Sequence, residues 1–263
     1  MSETSAESRE FRVDGVSINL LSMPQAISSI VSTAKGGQGF SVFTLNLDHC
    51  AKLRADSKFA QAYHRANFVT ADGFPIVLLG RLHGIPVQRT AGSDMLEPLC
   101  AEAARSRLPI FLLGPNTAVI NRAAAHLRER NESLEIAGTY APGQNFSPES
   151  LDADIAIEHI RKSGARICFL AIGAPRQEIF AARCLDRLPG VGFVCVGAAL
   201  DFIAGTQARA PGFFQRHGLE WMWRLASNPQ RLAMRYLRSA LAVPRLLADA
   251  IPQAISARTG RTS

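Results

Sequence analysis

The feature that most constrains the fold is an alternation of short apolar runs with longer helical patterns over residues 1–206. Two of the runs, Ile110-Phe-Leu-Leu and Ile167-Cys-Phe-Leu-Ala-Ile, are apolar at every position. A strand that is apolar on both faces is covered by helices on both sides, as in parallel sheets. The pattern therefore predicts an α/β domain with a mostly parallel, Rossmann-like sheet, right-handed crossovers and helices on both faces.

The sequence predicts six sheet strands, with a short hairpin before them. The sheet strands are expected at Phe40–Leu45, Asn67–Thr70, Pro109–Leu113, Glu135–Tyr140, Arg166–Ile172 and Gly192–Val196. The hairpin pairs Phe11–Val13 with Val16–Leu20 across the turn Asp14-Gly15. Helical periodicity is expected at Pro24–Ala34, Asp48–Arg65, Ser93–Ser106, Asn116–Arg130, Pro148–Ser163 and Pro175–Arg187.

Net charge divides the chain into two parts. The whole chain carries a formal charge of +7, and residues 207–263 contain nine arginines, no lysine and two acidic residues. All of the excess positive charge therefore lies in the last fifth of the chain, and residues 1–206 are neutral. We predict a neutral α/β core over residues 1–206 and a basic, helical C-terminal appendage over residues 207–263.

The composition disfavours several classes of protein. No run reaches the ~18–20 consecutive apolar residues of a membrane-spanning helix, and the polar first residues are unlike a signal peptide. The five cysteines include no CxxC pair, and Cys168 and Cys195 lie inside apolar runs. Such thiols behave as small apolar side chains, which is typical of a protein of the reducing cytoplasm.

Motifs for several kinds of chemistry are absent from the sequence. Neither a GxGxxG fingerprint nor a GxxxxGK[ST] loop occurs, which argues against dinucleotide and ATP sites. No GxSxG elbow or Cys/His pair supports covalent catalysis. The six histidines have no metal-ligand spacing, so no metal site is expected and most of them are expected at solvated positions.

Small and polar residues follow the predicted strands at the sheet edge where α/β proteins bind ligands. Asp72 directly follows a strand and precedes Gly73, so it is a candidate general base, with an Asx turn or helix cap as the alternative. Asp201 can bind ribose hydroxyls or cap a turn. Gly173-Ala174-Pro175 precedes a helix and is either an anion cradle or an ordinary strand-to-helix turn.

The appendage contains a basic amphipathic pattern. On a helical projection that starts at Arg231, the arginines Arg235, Arg238 and Arg245 fall within about 40° of it, and apolar residues occupy the opposite arc. An arginine stripe opposite an apolar face is typical of a helix on an anionic membrane. A packed helix with solvated arginines, a phosphate-gripping lid and a nucleic-acid arm are the alternatives. Nucleic acid is the weakest, because the core is neutral.

Eight motifs occur in an order that resembles a known family. They are Thr44-Leu-Asn46, Ala71-Asp72-Gly73-Phe-Pro75, Arg89-Thr-Ala-Gly92-Ser-Asp94, Gly173-Ala-Pro-Arg-Gln177-Glu178, Val196-Gly197-Ala-Ala-Leu-Asp201, Arg209-Ala-Pro211, Leu219-Glu-Trp221-Met-Trp-Arg224-Leu and Asn228-Pro229-Gln-Arg231-Leu-Ala-Met-Arg235-Tyr236. Over roughly residues 10 to 240 the chain is similar to the WecG/TagA/CpsF family of bacterial glycosyltransferases.

The resemblance implies inverting transfer of N-acetylmannosamine or another hexose from a UDP-sugar to a polyprenyl-diphosphate-linked saccharide. The product would enter bacterial exopolysaccharide or another cell-surface polymer, no metal would be required, and the protein would be peripheral on the inner face of the cytoplasmic membrane. Asp72 is the implied general base. Together with the cradle at Gly173, the implied substrate site consists of Thr44, Asn46, Arg89, Gln177, Asp201, Arg224, Arg231 and Arg235.

Two other classes of function are kept as alternatives. A non-catalytic module that binds a nucleotide-sugar or a lipid predicts that Asp72→Asn leaves product formation unchanged. An NAD-linked oxidoreductase can have a similar sheet, although the missing fingerprint glycines count against it. Self-association that hides the apolar face of the appendage in solution is left open, so a homo-oligomer is compatible with the sequence.

Overall fold

The computed structural model describes residues 11–143 and 145–212, together with residues 214, 222, 223 and 226. The strands are β1 Phe11–Val13, β2 Val16–Ile18, β3 Phe40–Leu45, β4 Phe68–Ala71, β5 Ile110–Leu113, β6 Ile136–Tyr140, β7 Ile167–Leu170 and β8 Gly192–Cys195. The helices are α1 Met23–Lys35, α2 Leu47–Ala55, α3 Ser57–His64, α4 Phe74–Leu82, α5 Gly92–Arg105, α6 Thr117–Arg130, α7 Leu151–Ser163, α8 Arg176–Arg187 and α9 Ala199–Ile203.

Six of the strands form one parallel sheet in the order β4-β3-β8-β7-β5-β6. The remaining two, β1 and β2, pair as an antiparallel hairpin. Strands β3 and β4 end level with each other, because Leu45 pairs with Ala71. The predicted α/β fold with a mostly parallel, Rossmann-like sheet is therefore confirmed, and so is the hairpin.

Apolar side chains alternate between two layers, one on each face of the sheet. In β5, Phe111 and Leu113 belong to one apolar cluster, whereas Ile110 and Leu112 belong to the other. The first cluster includes side chains of α2, α3, α7 and α8, and the second includes side chains of α1, α5 and α6. All four residues of β5 and of β7 are buried. The prediction of strands covered on both faces is thus confirmed.

The predicted helix Asp48–Arg65 is wrong, because the chain forms two helices there. Asp56 has an extended backbone (φ −131°, ψ 106°) between α2 and α3. Its carboxylate accepts hydrogen bonds from the backbone N–H groups of Lys58 and Phe59 at 3.0 and 3.1 Å. An aspartate at this position satisfies N–H groups that have no partner within a helix. The helical pattern of the sequence continues across Asp56, so the cap was not predicted.

Helices α4 and α9 were not predicted. Most residues of α4 are apolar, with Ile76, Val77 and Leu79 buried. The helix nevertheless leaves Phe74, Leu78 and Leu82 exposed, at 48%, 38% and 44% of their surface. These three residues are spaced four apart, so they form an apolar stripe on one side of α4.

Most of the predicted appendage lies outside the described residues, including Arg224, Arg231 and Arg235. In the described part of the chain, no helix is both long enough and apolar enough to span a membrane. All five cysteines are free and buried, and the burial of Cys168 and Cys195 confirms the expectation from their apolar runs.

Candidate active site

Asp72 directly follows β4 and lies beside the carboxyl end of the neighbouring strand β3. Its backbone N–H donates to the carbonyl oxygen of Leu45 at 2.8 Å, which continues the pairing of the two strands. The side-chain amide of Asn46, which directly follows β3, donates to the Asp72 carboxylate at 3.3 Å. The structure therefore brings together two site residues that stand 26 positions apart in the sequence.

The Asp72 side chain does not cap a helix among the described residues. The N-cap of α4 is Gly73, and no side chain caps that helix. Gly73 has φ 92° and ψ 150°, a conformation that is essentially restricted to glycine. Asn46, by contrast, does cap its helix, since its side-chain oxygen accepts from the His49 N–H at 2.9 Å. That bond leaves the Asn46 NH₂ group to face Asp72.

Arg89 connects Asp72 with a second carboxylate. Its Nη1 lies 3.8 Å from Asp72 Oδ1, and its Nη2 donates to Asp94 Oδ2 at 2.7 Å. The other oxygen of Asp94 accepts from Arg209, one of the first residues of the appendage. Charges thus alternate along the row Asp72, Arg89, Asp94 and Arg209. Through this row, the beginning of the appendage contacts the site.

Asp94 is positioned by the close approach of α5 to the end of β8. A Cβ atom on Gly92, the first residue of α5, would lie 2.6 Å from the carbonyl oxygen of Cys195. It would also lie 3.0 Å from Cα of Val196. Only glycine fits without a shift of the backbone, and this contact sets where the first turn of α5 carries Asp94.

Thr44 is 7% exposed, and its carbonyl oxygen is part of a buried polar cluster. That oxygen accepts from the Tyr63 hydroxyl at 2.8 Å and lies 2.7 Å from Nδ1 of His49. Burial raises the pKa of Tyr63 well above its ordinary value, so the hydroxyl keeps its proton. His49 is only 4% exposed and is an exception among histidines that were mostly expected at solvated positions.

Gln177 and Glu178 lie in the first turn of α8, after Gly173 in a left-handed conformation (φ 79°). Gln177 is 4% exposed and Glu178 is fully buried. The Gln177 side-chain amide donates to Glu178 Oε1 at 2.7 Å. Burial raises the pKa of Glu178 to about 7, although the bond from Gln177 and the charge of Lys52 act to lower it.

Asp201 makes a local contact in the structure. It lies in α9, and its carboxylate accepts from the Thr206 hydroxyl at 3.0 Å. This contact agrees with the turn-forming alternative, and a contact with ribose stays a prediction.

Four helices begin without a side-chain cap among the described residues, namely α4, α5, α8 and α9. The helices α1, α2, α3, α6 and α7 are capped by Ser22, Asn46, Asp56, Asn116 and Ser150. Three of the uncapped helices follow the carboxyl ends of β4, β7 and β8, and the fourth carries Asp94. Helix N-termini attract anions through unbonded N–H groups and the helix dipole, so this edge is suited to a negatively charged ligand.

Residues 11–258 match the family described as glycosyl transferases of the WecG/TagA/CpsF family. The chain belongs to this family. The protein is therefore a glycosyltransferase, with a general role in the synthesis of cell-surface polymers. The match also continues past residue 240 into the last residues of the appendage, farther than the motifs indicated.

Several residues of the candidate site were not predicted from the sequence of this WecG/TagA/CpsF protein. Asp94, Glu178 and Arg209 stand inside the motifs that indicated the family, but no role was assigned to them. Their presence in those motifs was the available signal. No sequence signal pointed to Tyr63, because it lies within an ordinary helical pattern and its hydroxyl donates to a backbone carbonyl.

No metal-binding cluster marks this site in the described part of the WecG/TagA/CpsF chain. No group of three or more His, Cys, Asp or Glu side chains there is arranged to hold a metal ion. Two clefts, of about 320 and 700 Å³, are lined by residues other than those around Asp72. The assignment of the site therefore rests on its contacts, and independence from metal stays a prediction.

Proposed function

We propose that the protein is an inverting glycosyltransferase that uses a UDP-sugar donor and a polyprenyl-diphosphate-linked saccharide as acceptor. The sugar is N-acetylmannosamine or another hexose, and the product enters a bacterial cell-surface or exopolysaccharide. The observation that carries the proposal is the carboxylate of Asp72 at the joined ends of β3 and β4, contacted by Asn46 and close to Arg89. Membership of a glycosyltransferase family supplies the reaction class.

The reaction is a single displacement at the anomeric carbon of the donor sugar. Asp72 takes the proton of the acceptor hydroxyl as its oxygen forms a bond to that carbon. The bond between the anomeric carbon and the UDP oxygen breaks, and UDP leaves with the electron pair. Because attack and departure occur on opposite sides, the configuration inverts. Asn46 and Arg89 orient the Asp72 carboxylate during this step.

The leaving diphosphate requires positive charge or N–H donors. The uncapped N-termini of α4, α5, α8 and α9 offer N–H groups at the same sheet edge. Gly173 and Gln177 stand at the start of α8, where we place the donor nucleotide. Arg224, Arg231 and Arg235 of the appendage complete the site in this proposal, because the planar guanidinium binds diphosphate oxygens in pairs.

The lipid-linked acceptor explains the apolar surfaces near Asp72. The exposed stripe of Phe74, Leu78 and Leu82 begins two residues after Asp72. With the basic, amphipathic appendage, it favours a peripheral position on the inner face of the cytoplasmic membrane. In this proposal, the appendage closes over the donor only at the membrane, and so excludes water that would hydrolyse it.

The decisive experiment is a mass-spectrometric transfer assay with a panel of UDP-sugars and a short-chain polyprenyl-diphosphate sugar. We expect transfer by the wild type and a loss of about a hundred- to ten-thousandfold in Asp72→Asn, because a general base contributes by this order. Asp186→Asn is the matched control, since Asp186 is largely exposed and paired with Arg65 on the surface. It should keep the wild-type rate.

Three results would change the proposal. Full activity in Asp72→Asn would discard Asp72 as the base but keep the enzyme. A wild type that binds UDP and transfers no sugar would favour a different acceptor or a non-catalytic binding module. If the full-length chain and a chain ending at Gln207 transferred sugar to the lipid-linked acceptor equally well, closure by the appendage would be wrong.

A further inference from the structure

Glu178 is a fully buried carboxyl group that the proposed reaction does not use. The ionisable groups that act on it come from three other elements: Asp48 and Lys52 of α2, Tyr63 of α3 and Cys195 of β8. Lys52 is already paired with Asp48. One oxygen of Glu178 accepts from Gln177, and the other has no hydrogen-bond partner among the described residues. Such a group is costly to bury, so its presence calls for a physical reason.

The bond between Gln177 and Glu178 fixes the direction of the Gln177 carboxamide. Neighbouring residues on a helix do not normally face each other, so this contact is specific to the first turn of α8. A carboxamide has a donor end and an acceptor end. Its donor end is held by Glu178 at 2.7 Å, while its oxygen is buried and has no hydrogen-bond partner in the described chain.

We propose that Glu178 is a positioning residue, which holds Gln177 so that the carboxamide oxygen accepts a hydrogen bond from an O–H or N–H group of the nucleotide part of the sugar donor. An ionised carboxylate only accepts hydrogen bonds, so it permits a single orientation of the neighbouring amide. A protonated carboxyl or a glutamine at position 178 can also donate, and the opposite orientation then becomes available. This inference rests on the proposed function, because it takes Gln177 as part of the donor site.

The proposal predicts how the affinity for the nucleotide changes with pH. Burial raises the pKa of Glu178 to about 7, so the carboxyl gains its charge between about pH 6 and pH 8. The Gln177 orientation is fixed best when Glu178 is ionised. The affinity for the nucleotide should therefore rise over this interval. The neighbouring groups do not change their charge over this pH interval. Lys52 is paired with Asp48, and burial keeps Tyr63 protonated.

The experiment is a double-mutant cycle read by calorimetric binding of UDP at pH 6 and pH 8, using the full chain. It compares the wild type, Glu178→Gln, Gln177→Ala and the double variant. At pH 8 we expect Glu178→Gln to weaken UDP binding by roughly tenfold, which is the scale of one hydrogen bond. In the Gln177→Ala background the same substitution should have no further effect. The change in UDP affinity between pH 6 and pH 8 should be smaller in all three variants than in the wild type and equal among them, because only the titration of the UDP phosphate remains.

A merely structural role for Glu178 gives a different result. The near-isosteric Glu178→Gln would then bind UDP as the wild type does, or would weaken binding equally with and without Gln177, and either result overturns the proposal. The transfer assay separates this inference from the proposed function. Coupled UDP binding without sugar transfer would reject the proposed transfer reaction and keep the positioning role, whereas a wild type that does not bind UDP would reject both.

Discussion

Replacing Glu178 with glutamine removes the one fully buried carboxyl group in the described part of the chain and preserves its shape. The substitution should make the protein more stable at pH 8. In the native state burial raises the pKa of Glu178 to about 7, from an ordinary value of 4.5. At 1.36 kcal/mol for each unit of pKa, this difference corresponds to about 3 kcal/mol of free energy of unfolding that the native protein loses at high pH.

The sign of this effect follows from where the proton is bound. Below about pH 4.5 the carboxyl is protonated in both the native and the unfolded state, so burial carries no penalty of charge. Between about pH 4.5 and pH 7 the unfolded chain releases the proton and the native state keeps it, so the free energy of unfolding falls as the pH rises. Above about pH 7 both states are ionised and the penalty is complete.

Urea unfolding of the wild type and Glu178→Gln at pH 5 and pH 8 measures this effect. Between pH 5 and pH 8, the free energy of unfolding of the variant should rise by about 2–3 kcal/mol relative to that of the wild type. The slope of this free energy against urea concentration should be the same for both proteins. The exposed Glu132 offers the matched control, because Glu132→Gln makes the same chemical change at the surface. A difference between wild type and Glu178→Gln that is the same at both pH values would refute the reasoning.

Other predictions follow from close contacts around the site. Gly92→Ala should lower the free energy of unfolding by about 1–3 kcal/mol and reduce kcat/KM, because its Cβ would lie 2.6 Å from a backbone oxygen. Gly36→Ala, whose nearest contact is 3.4 Å, should change neither in urea unfolding and transfer assays. Tyr63→Phe should cost about 1–3 kcal/mol in the same unfolding assay, since the carbonyl at the end of β3 loses a donor, and an unchanged midpoint would contradict this. Asp94→Asn should lower kcat/KM by roughly tenfold or more and Asp94→Glu by less, so equal losses would exclude a role for the charge.

Much of the fold is a local property of the sequence. Runs such as Ile110–Leu113 are apolar at consecutive positions, and alternate residues of a strand face opposite sides. Both faces of such a strand must pack against other elements, and this requirement does not depend on the rest of the sequence. Asp72 was predicted as a candidate base in the same way, because a polar residue directly after a buried strand lies at the edge where α/β proteins bind ligands. The exceptions, Asp56 and α4, are places where a single cap or turn residue outweighs the periodic pattern.

The contacts that make the site depend on residues far apart in the chain. Asn46 meets Asp72 across 26 positions and Asp94 meets Arg209 across 115, because the sheet order puts β3 beside β4 and packs α5 against the end of β8. The burial of Glu178 likewise follows from the packing of α8 against α3 and β3. The sequence by itself determined the α/β architecture, the family and the residue types at the sheet edge, since these depend on short patterns. Only the tertiary structure decided which of those residues contact one another and which are buried from solvent, because both depend on how distant elements pack.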